Sequence, residues 1–198
     1  MKLNILIVGV GGQGALTTAH LIARAAVKAG LNAITAETHG MAQRGGSVEV
    51  HIRIGEVLSP LIPEGSADIV LALEPVEALR YAKYIGKNTS IILNSRKLVP
   101  PSVTIGLGRY PGFEEILENL RKIAKVVYVV PASELALKIG DVVATNVVVV
   151  GVLLSLFEMP FRIEHVEEVI KETMKNSEMN LKALKMGYNF KSNQLSAV

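Results

Sequence analysis

The sequence begins with an apolar run, Leu3 to Val8, that ends directly in Gly9-Val10-Gly11-Gly12-Gln13-Gly14. A continuous apolar run closed by glycine reads as a strand buried on both faces. Behind the loop, Ala15, Leu16, Ala19, Ile22, Ala23, Ala26 and Val27 recur at helical spacing. Lys28 stands in the last turn and Gly30 suits a C-cap, so a helix is expected from Gly12–Gln13 to Ala29. Asn32 to Glu37 then reads as a second strand, completing a β–loop–α–β unit. In such a loop Gly9 permits a tight turn, Gly11 lets the backbone approach a phosphate, and Gly14 allows close helix–strand packing. The helix N-terminus adds unpaired N–H donors. Glu37 closes the second strand near the place where a ribose-binding acid stands in dinucleotide folds. A loop used only for packing and a tight turn satisfies the same pattern.

Farther on, Val48, Val50, Ile52 and Ile54 alternate with Glu49, His51 and Arg53, which predicts a strand with one apolar face. Gly55-Glu56 predicts a turn, with Val57 to Ile62 returning as a hairpin partner. Strands at Asp68–Leu73, Ser90–Leu93 and Val126–Val130 alternate with helices after Pro75, at Phe113–Ala124 and at Ser133–Ile139. A further strand is a candidate at Val103–Leu107. From Val142 the pattern is all-helical: Val142–Phe157, Glu164–Lys175 and Met179–Tyr188. The expected fold is therefore α/β, a three-layer α/β/α Rossmann-like domain spanning residues 1–198. Its sheet is mostly parallel with an inserted antiparallel hairpin, and the C-terminal helices pack on it or on a partner. Asn146, in the first turn of the apolar helix Val142–Phe157, needs a buried partner or faces a ligand or another chain.

Composition narrows the chemistry. The 198 residues include no Cys, so a disulfide framework, a thiolate metal site, a Cys-ligated iron–sulfur cluster and a Cys nucleophile are all excluded. Four His residues lie far apart, and no metal site is expected. The net charge is only +3. Yet residues 80–125 hold nine basic residues against Glu114, Glu115 and Glu118, a local excess that fits a solvated, mixed surface and also suits an acidic partner or a phosphate-bearing ligand. Aromatic residues make up 5% of the chain and are not interleaved with basic runs, which disfavours nucleic-acid binding. The longest apolar stretch is shorter than the ~20 residues a bilayer demands. No signal-peptide pattern opens the sequence, so a cytoplasmic location away from membranes is expected.

A second constellation, Glu37-Thr38-His39-Gly40-Met41-Ala42-Gln43-Arg44-Gly45-Gly46-Ser47, lies at the C-terminal end of an expected strand, where α/β sheets place ligands. It combines an acid, an imidazole, an amide and a guanidinium on a loop made compliant by three glycines. Arg44 is suited to grip a phosphate or carboxylate in a forked geometry. A solvated loop feeding a hairpin would look the same.

Together the Gly9–Gly14 loop and the Glu37–Ser47 segment resemble the gamma domain of the 2-oxoacid:ferredoxin oxidoreductases. The resemblance continues through Tyr110-Pro111, Ala144-Thr145-Asn146-Val147-Val148, Asn180-Leu181-Lys182-Ala183-Leu184 and Gly187-Tyr188, and so covers nearly the whole chain. Gln43-Arg44-Gly45-Gly46-Ser47 differs from the Glu-Arg-Arg-Gly type of loop in pyruvate-class members and favours the indolepyruvate branch.

The resemblance implies oxidative decarboxylation of an arylpyruvate such as indolepyruvate, with an aryl-acetyl-CoA and CO2 as products and ferredoxin as electron acceptor. It places thiamine diphosphate, Mg and the iron–sulfur clusters on a large alpha subunit, in a hetero-oligomer. This chain would complete the active site and contact coenzyme A. No catalytic residue is assigned firmly, and Arg44, Gln43 and His39 are accessory candidates. Candidate ligand-binding positions are Gly9, Gly11, Gly12, Gln13, Gly14, Glu37, Gly45, Gly46, Ser47 and Asn146. Two alternatives stay open: a gamma subunit acting on another 2-oxoacid, and a free-standing NAD-binding Rossmann protein that uses Glu37 on the ribose.

Overall fold

The computed structural model of the protein describes residues 2–39 and 45–190. Six strands form one sheet in the order β2-β3-β1-β4-β5-β6: β1 (Lys2–Val10), β2 (Ala33–His39), β3 (Ser47–Gly55), β4 (Ile69–Ala72), β5 (Ser90–Asn94) and β6 (Val126–Val130). β1, β4, β5 and β6 run parallel, while β3 runs antiparallel to both β1 and β2. The sheet is thus mostly parallel with an antiparallel insertion, as expected. The insertion itself differs: β3 pairs with β2 and β1, and residues 57–62 form no strand.

The reason lies in the polar face of β3. Both edges of β3 are already taken, so no ladder is open to a returning strand. Arg53 instead draws residues 59–61 down as a strap, donating from Nη1 to the carbonyls of Ser59 (2.7 Å) and Leu61 (3.1 Å). His51 Nδ1 accepts the Ile62 N–H at 3.2 Å. His51 and Arg53 are consequently buried under the strap, and Glu49, which accepts from the Thr38 hydroxyl, is buried as well.

Helices cover both faces. Ile5 and Ile7 of β1 turn to one side, against α1 (Ala15–Lys28) and the C-terminal helices α6 (Thr145–Leu156), α7 (Ile163–Thr173) and α8 (Ser177–Tyr188). Leu6 and Val8 turn to the other, against α2 (Pro75–Arg80) and α4 (Phe113–Ile123). α5 (Ala132–Ile139) follows β6 and packs beside α6. The first nine residues of α6 are all buried within this chain, the arrangement of a core helix. The buried stripe of α1 is rotated from the expected one: Thr18, Leu21 and Ala25 face inward, while Leu16 and Val27 are exposed. Residues 103–107 form no strand; the last residues of the short helix α3 (Pro101–Thr104) and a turn occupy them. No helix among the described residues is long and apolar enough to cross a membrane.

Candidate functional site

β1, β4, β5 and β6 end at the same edge of the sheet, and two adjoining clefts open there. The glycine loop forms their common wall. β1 continues through Val10, so the turn falls at Gly11–Gly12 rather than at Gly9. Gly12 has φ +102°, a backbone conformation that favours glycine, and has open space where a Cβ would stand. Gly9 is required for a different reason: a Cβ there would sit 2.9 Å from Gln13 Oε1 and 3.2 Å from Leu73 Cβ.

Gln13 explains that crowding. Its Oε1 accepts the Val10 N–H (2.8 Å) and its Nε2 donates to the Leu73 carbonyl (3.0 Å), joining the loop to the end of β4. The same carbonyl takes the amide of the buried Asn94 at 3.0 Å. Asn94 also donates to Ser133 Oγ (3.1 Å), and Thr145 Oγ1 lies 3.2 Å from that hydroxyl. An amide and hydroxyl relay therefore underlies the smaller cleft, about 160 Å³, whose wall carries Gly12, Arg96, Leu98 and Val143. Gly14 (φ +81°) caps α1, and its carbonyl accepts from Asn146 Nδ2 at 3.4 Å. A Cβ at Gly14 would meet that amide at 2.8 Å, so the close approach it permits is to α6 rather than to a strand.

The larger cleft, about 550 Å³, lies between the glycine loop and α2, with Gly11, Ser47, Arg80, Leu98 and Tyr110 on its walls. Gly11 N–H donates to Gly46 O (2.8 Å), and Gly45 N–H returns a 3.3 Å bond to Gly11 O. The Gly11 amide is therefore engaged by protein. Ser47 donates to Glu77 and lies 2.9 Å from Tyr81 Oη. Glu74, 1% exposed, caps α2 by accepting the Glu77 N–H, and also accepts from the Leu98 amide and the Tyr110 hydroxyl. Arg80 Nε binds the Glu77 carboxylate at 3.1 Å. Burial, together with the adjacent Glu74, pushes the Tyr110 hydroxyl well above the ordinary phenol range. Burial likewise raises Tyr81. Both phenols thus keep their protons near neutral pH.

Gly9, Gly11, Gly12, Gln13, Gly14, Gly45, Gly46, Ser47 and Asn146 are all brought to this edge of the sheet. Glu37 is not. It is exposed on the outer strand β2, in register with Val50 and through it with Ile7. Two strand spacings, about 10 Å, and about 13 Å along the strand separate it from Gly11. Gln43, Arg44 and the side chain of His39 lie outside the described residues. Glu74, Glu77, Tyr81 and Asn94 were not anticipated, and Arg80 only as one of the basic residues of 80–125. The available signal was the placement of Glu74-Pro75 and Asn94 at the ends of fully buried strands, the edge where α/β sheets carry their sites.

The basic excess of residues 80–125 is divided by the fold. Arg80, Arg96 and Lys97 follow the C-terminal ends of β4 and β5, whereas Lys87 and Lys125 precede β5 and β6 at the opposite edge. Arg96 has no hydrogen-bond or ion-pair partner among the described residues. Cations and hydroxyls at the cleft mouths suit a phosphate-bearing ligand. Among the described residues no three His, Asp or Glu side chains converge in a group that could hold a metal ion.

Comparison with known proteins agrees with this architecture. Residues 4–190 match the family described as pyruvate ferredoxin/flavodoxin oxidoreductase. Indolepyruvate oxidoreductase subunit IorB of Archaeoglobus fulgidus is 66% identical, with 96% of this chain and 95% of that protein covered. The IorB subunit of Pyrococcus horikoshii is 43% identical over 93% of each. A crystal structure of pyruvate oxidoreductase subunit PORC from Thermotoga maritima superposes with a TM-score of 0.72 at 21% identity, covering 94% and 95% of the two chains, and so shares the fold. With the family match spanning nearly every described residue, the chain belongs to the pyruvate ferredoxin/flavodoxin oxidoreductase family.

Proposed function

We infer that this chain is the cluster-free subunit of an indolepyruvate oxidoreductase. It completes the active site carried by a large alpha subunit and receives coenzyme A at the C-terminal edge of its sheet. The observation that carries the assignment is 66% identity to an IorB subunit over almost the full length of both proteins. Thiamine diphosphate, Mg and iron–sulfur clusters on the partner would supply decarboxylation and electron transfer, with ferredoxin as acceptor. This chain's own part is positional. The guanidinium groups of Arg80 and Arg96 meet the phosphates, and the cleft beside Leu98 and Tyr110 receives the less polar arm of the cofactor. Gln13 and Asn146 hold the glycine loop against β4 and α6, which fixes the wall that the ligand meets. A free-standing NAD-binding role has less support, because Glu37 stands two strands away and the Gly11 amide is already bonded.

The test is reconstitution. Arylpyruvate-dependent reduction of ferredoxin should require both subunits and should depend on coenzyme A. A large subunit that turns over equally well without this chain would overturn the assignment.

A further inference from the structure

Ten large apolar side chains are exposed among the described residues, and they are not scattered evenly. Val99, Ile105 and Leu107 lie in the connection that follows β5, and Val143 lies on the wall of the smaller cleft beside Arg96 and Leu98. Their exposures are 50%, 70%, 78% and 72%. The connection is held at both ends. Ser95 N–H donates to Val130 O, and Glu74 accepts from both Leu98 and Tyr110. The apolar residues are therefore presented from a pinned base. A clustered apolar surface of this kind marks a site of association.

We propose that the rim formed by Val99, Ile105, Leu107 and Val143 is the surface by which this chain docks on its large partner subunit, against a patch that is apolar at its centre and acidic at its border. The charge argument is specific. No Asp or Glu occurs between Glu77 and Glu114, whereas Lys97 and Arg109 stand in the stretch that carries Val99, Ile105 and Leu107; Asp141 precedes Val143. Lys97 Nζ sits 5.9 Å over each of the Tyr110 and Phe113 rings, and Arg109 pairs with Glu115 at 2.8 Å. Cations bordering an apolar centre match an acidic border on the opposite surface. Val99 stands on the wall of the larger cleft and Val143 on that of the smaller, so a partner docked there would border both mouths. The inference rests on the subunit reading above and adds the residues through which assembly occurs.

The experiment measures the affinity of the full chain for the large subunit, comparing Ile105→Glu, Leu107→Glu and Val143→Glu with Leu58→Glu. Leu58 is more exposed than any of them but lies just before the strap that follows β3, at the opposite edge of the sheet. The rim variants should weaken binding by about tenfold or more, as expected for a charge placed at the centre of an interface. Leu58→Glu should bind as the wild type does. Lys97→Glu should slow association and flatten its salt dependence. Unchanged affinity in all three rim variants, with the wild type bound normally, would overturn the docking surface alone. A wild-type chain that binds no large subunit would instead overturn the subunit reading. Sedimentation of the chain by itself supplies a third arm: a dimer that Ile105→Glu dissolves would overturn the proposal in favour of self-association.

Discussion

Gly151 of α6 and Gly187 of α8 lie against one another at a helix crossing with no room for a methyl group. A Cβ on Gly187 would stand 2.0 Å from the Val148 carbonyl oxygen, and one on Gly151 would stand 2.2 Å from the Leu184 carbonyl. Both obstacles are backbone, which cannot rotate away. Alanine normally favours a helix over glycine by ~0.8–1.0 kcal/mol. Here overpacking of about 1–3 kcal/mol, or more, should outweigh that gain. Gly151→Ala and Gly187→Ala should each lower the urea midpoint. The double variant should depart from additivity, because one displacement of α8 relieves both clashes.

His51 predicts a pH dependence of stability. It is fully buried beneath the strap, and its Nδ1 accepts the Ile62 N–H, so Nε2 carries the proton of the neutral ring. Nε2 lies 3.9 Å from Glu49 Oε2, and neither atom has a hydrogen-bond partner among the described residues. Burial holds His51 below its ordinary value near 6.5; Glu49 opposes the shift, and Lys83 and Arg53 add to it. Above pH about 6.5 the ring is neutral in both folded and unfolded chains and contributes no slope. As the pH falls below 6.5 the unfolded chain takes up the proton first, so stability declines until the folded ring titrates as well. The slope is at most about 1.4 kcal/mol per pH unit. Urea titrations between pH 7.5 and 5 should show the decline in the wild type and a flatter curve in His51→Gln.

That histidine also shows where reading the sequence stops. The alternation Val48 to Ile54 located β3 correctly, because period-2 patterning survives whichever strands lie alongside. It left open what would cover the polar face. The strap covers His51 and Arg53, and the Tyr84 ring stands 4.9 Å from His51. The glycine loop was legible for a related reason: a strand, a turn and a helix are local. The separation of Glu37 from that loop was not, since it depends on β3 entering the sheet between β2 and β1, a pairing between distant segments. The Glu74–Tyr110 contact spans 36 residues and left only the acid-proline pair as a local trace.

Gln13 should be sensitive to an isosteric change. In Gln13→Glu the acceptor for Val10 N–H survives, but the donor to the Leu73 carbonyl is replaced by an oxygen. Losing that bond in a half-buried setting should cost about 1–3 kcal/mol, more if the carboxylate remains charged. Amide exchange at Val10 and Gln13 should accelerate as the loop detaches from β4. An unchanged melting point and unchanged exchange would show that the side chain does not hold the loop.

Arg96 and Arg80 should separate in kinetic effect. Arg96 lines the smaller cleft with no partner among the described residues, so removing it should disturb no contact within the chain. In the assembled enzyme, Arg96→Ala should raise the KM for coenzyme A several-fold and leave the KM for arylpyruvate unchanged, as expected when one charge-assisted phosphate contact is lost. Arg80 is different, because its guanidinium also neutralises Glu77, which holds Ser47. Arg80→Ala should therefore raise the coenzyme A KM and also lower stability, by about 1 kcal/mol given its half-exposed position. Initial rates at varied coenzyme A, together with urea midpoints for both variants, distinguish the two patterns. If Arg96→Ala raised both KM values equally, Arg96 would be acting on assembly of the complex rather than on the cofactor.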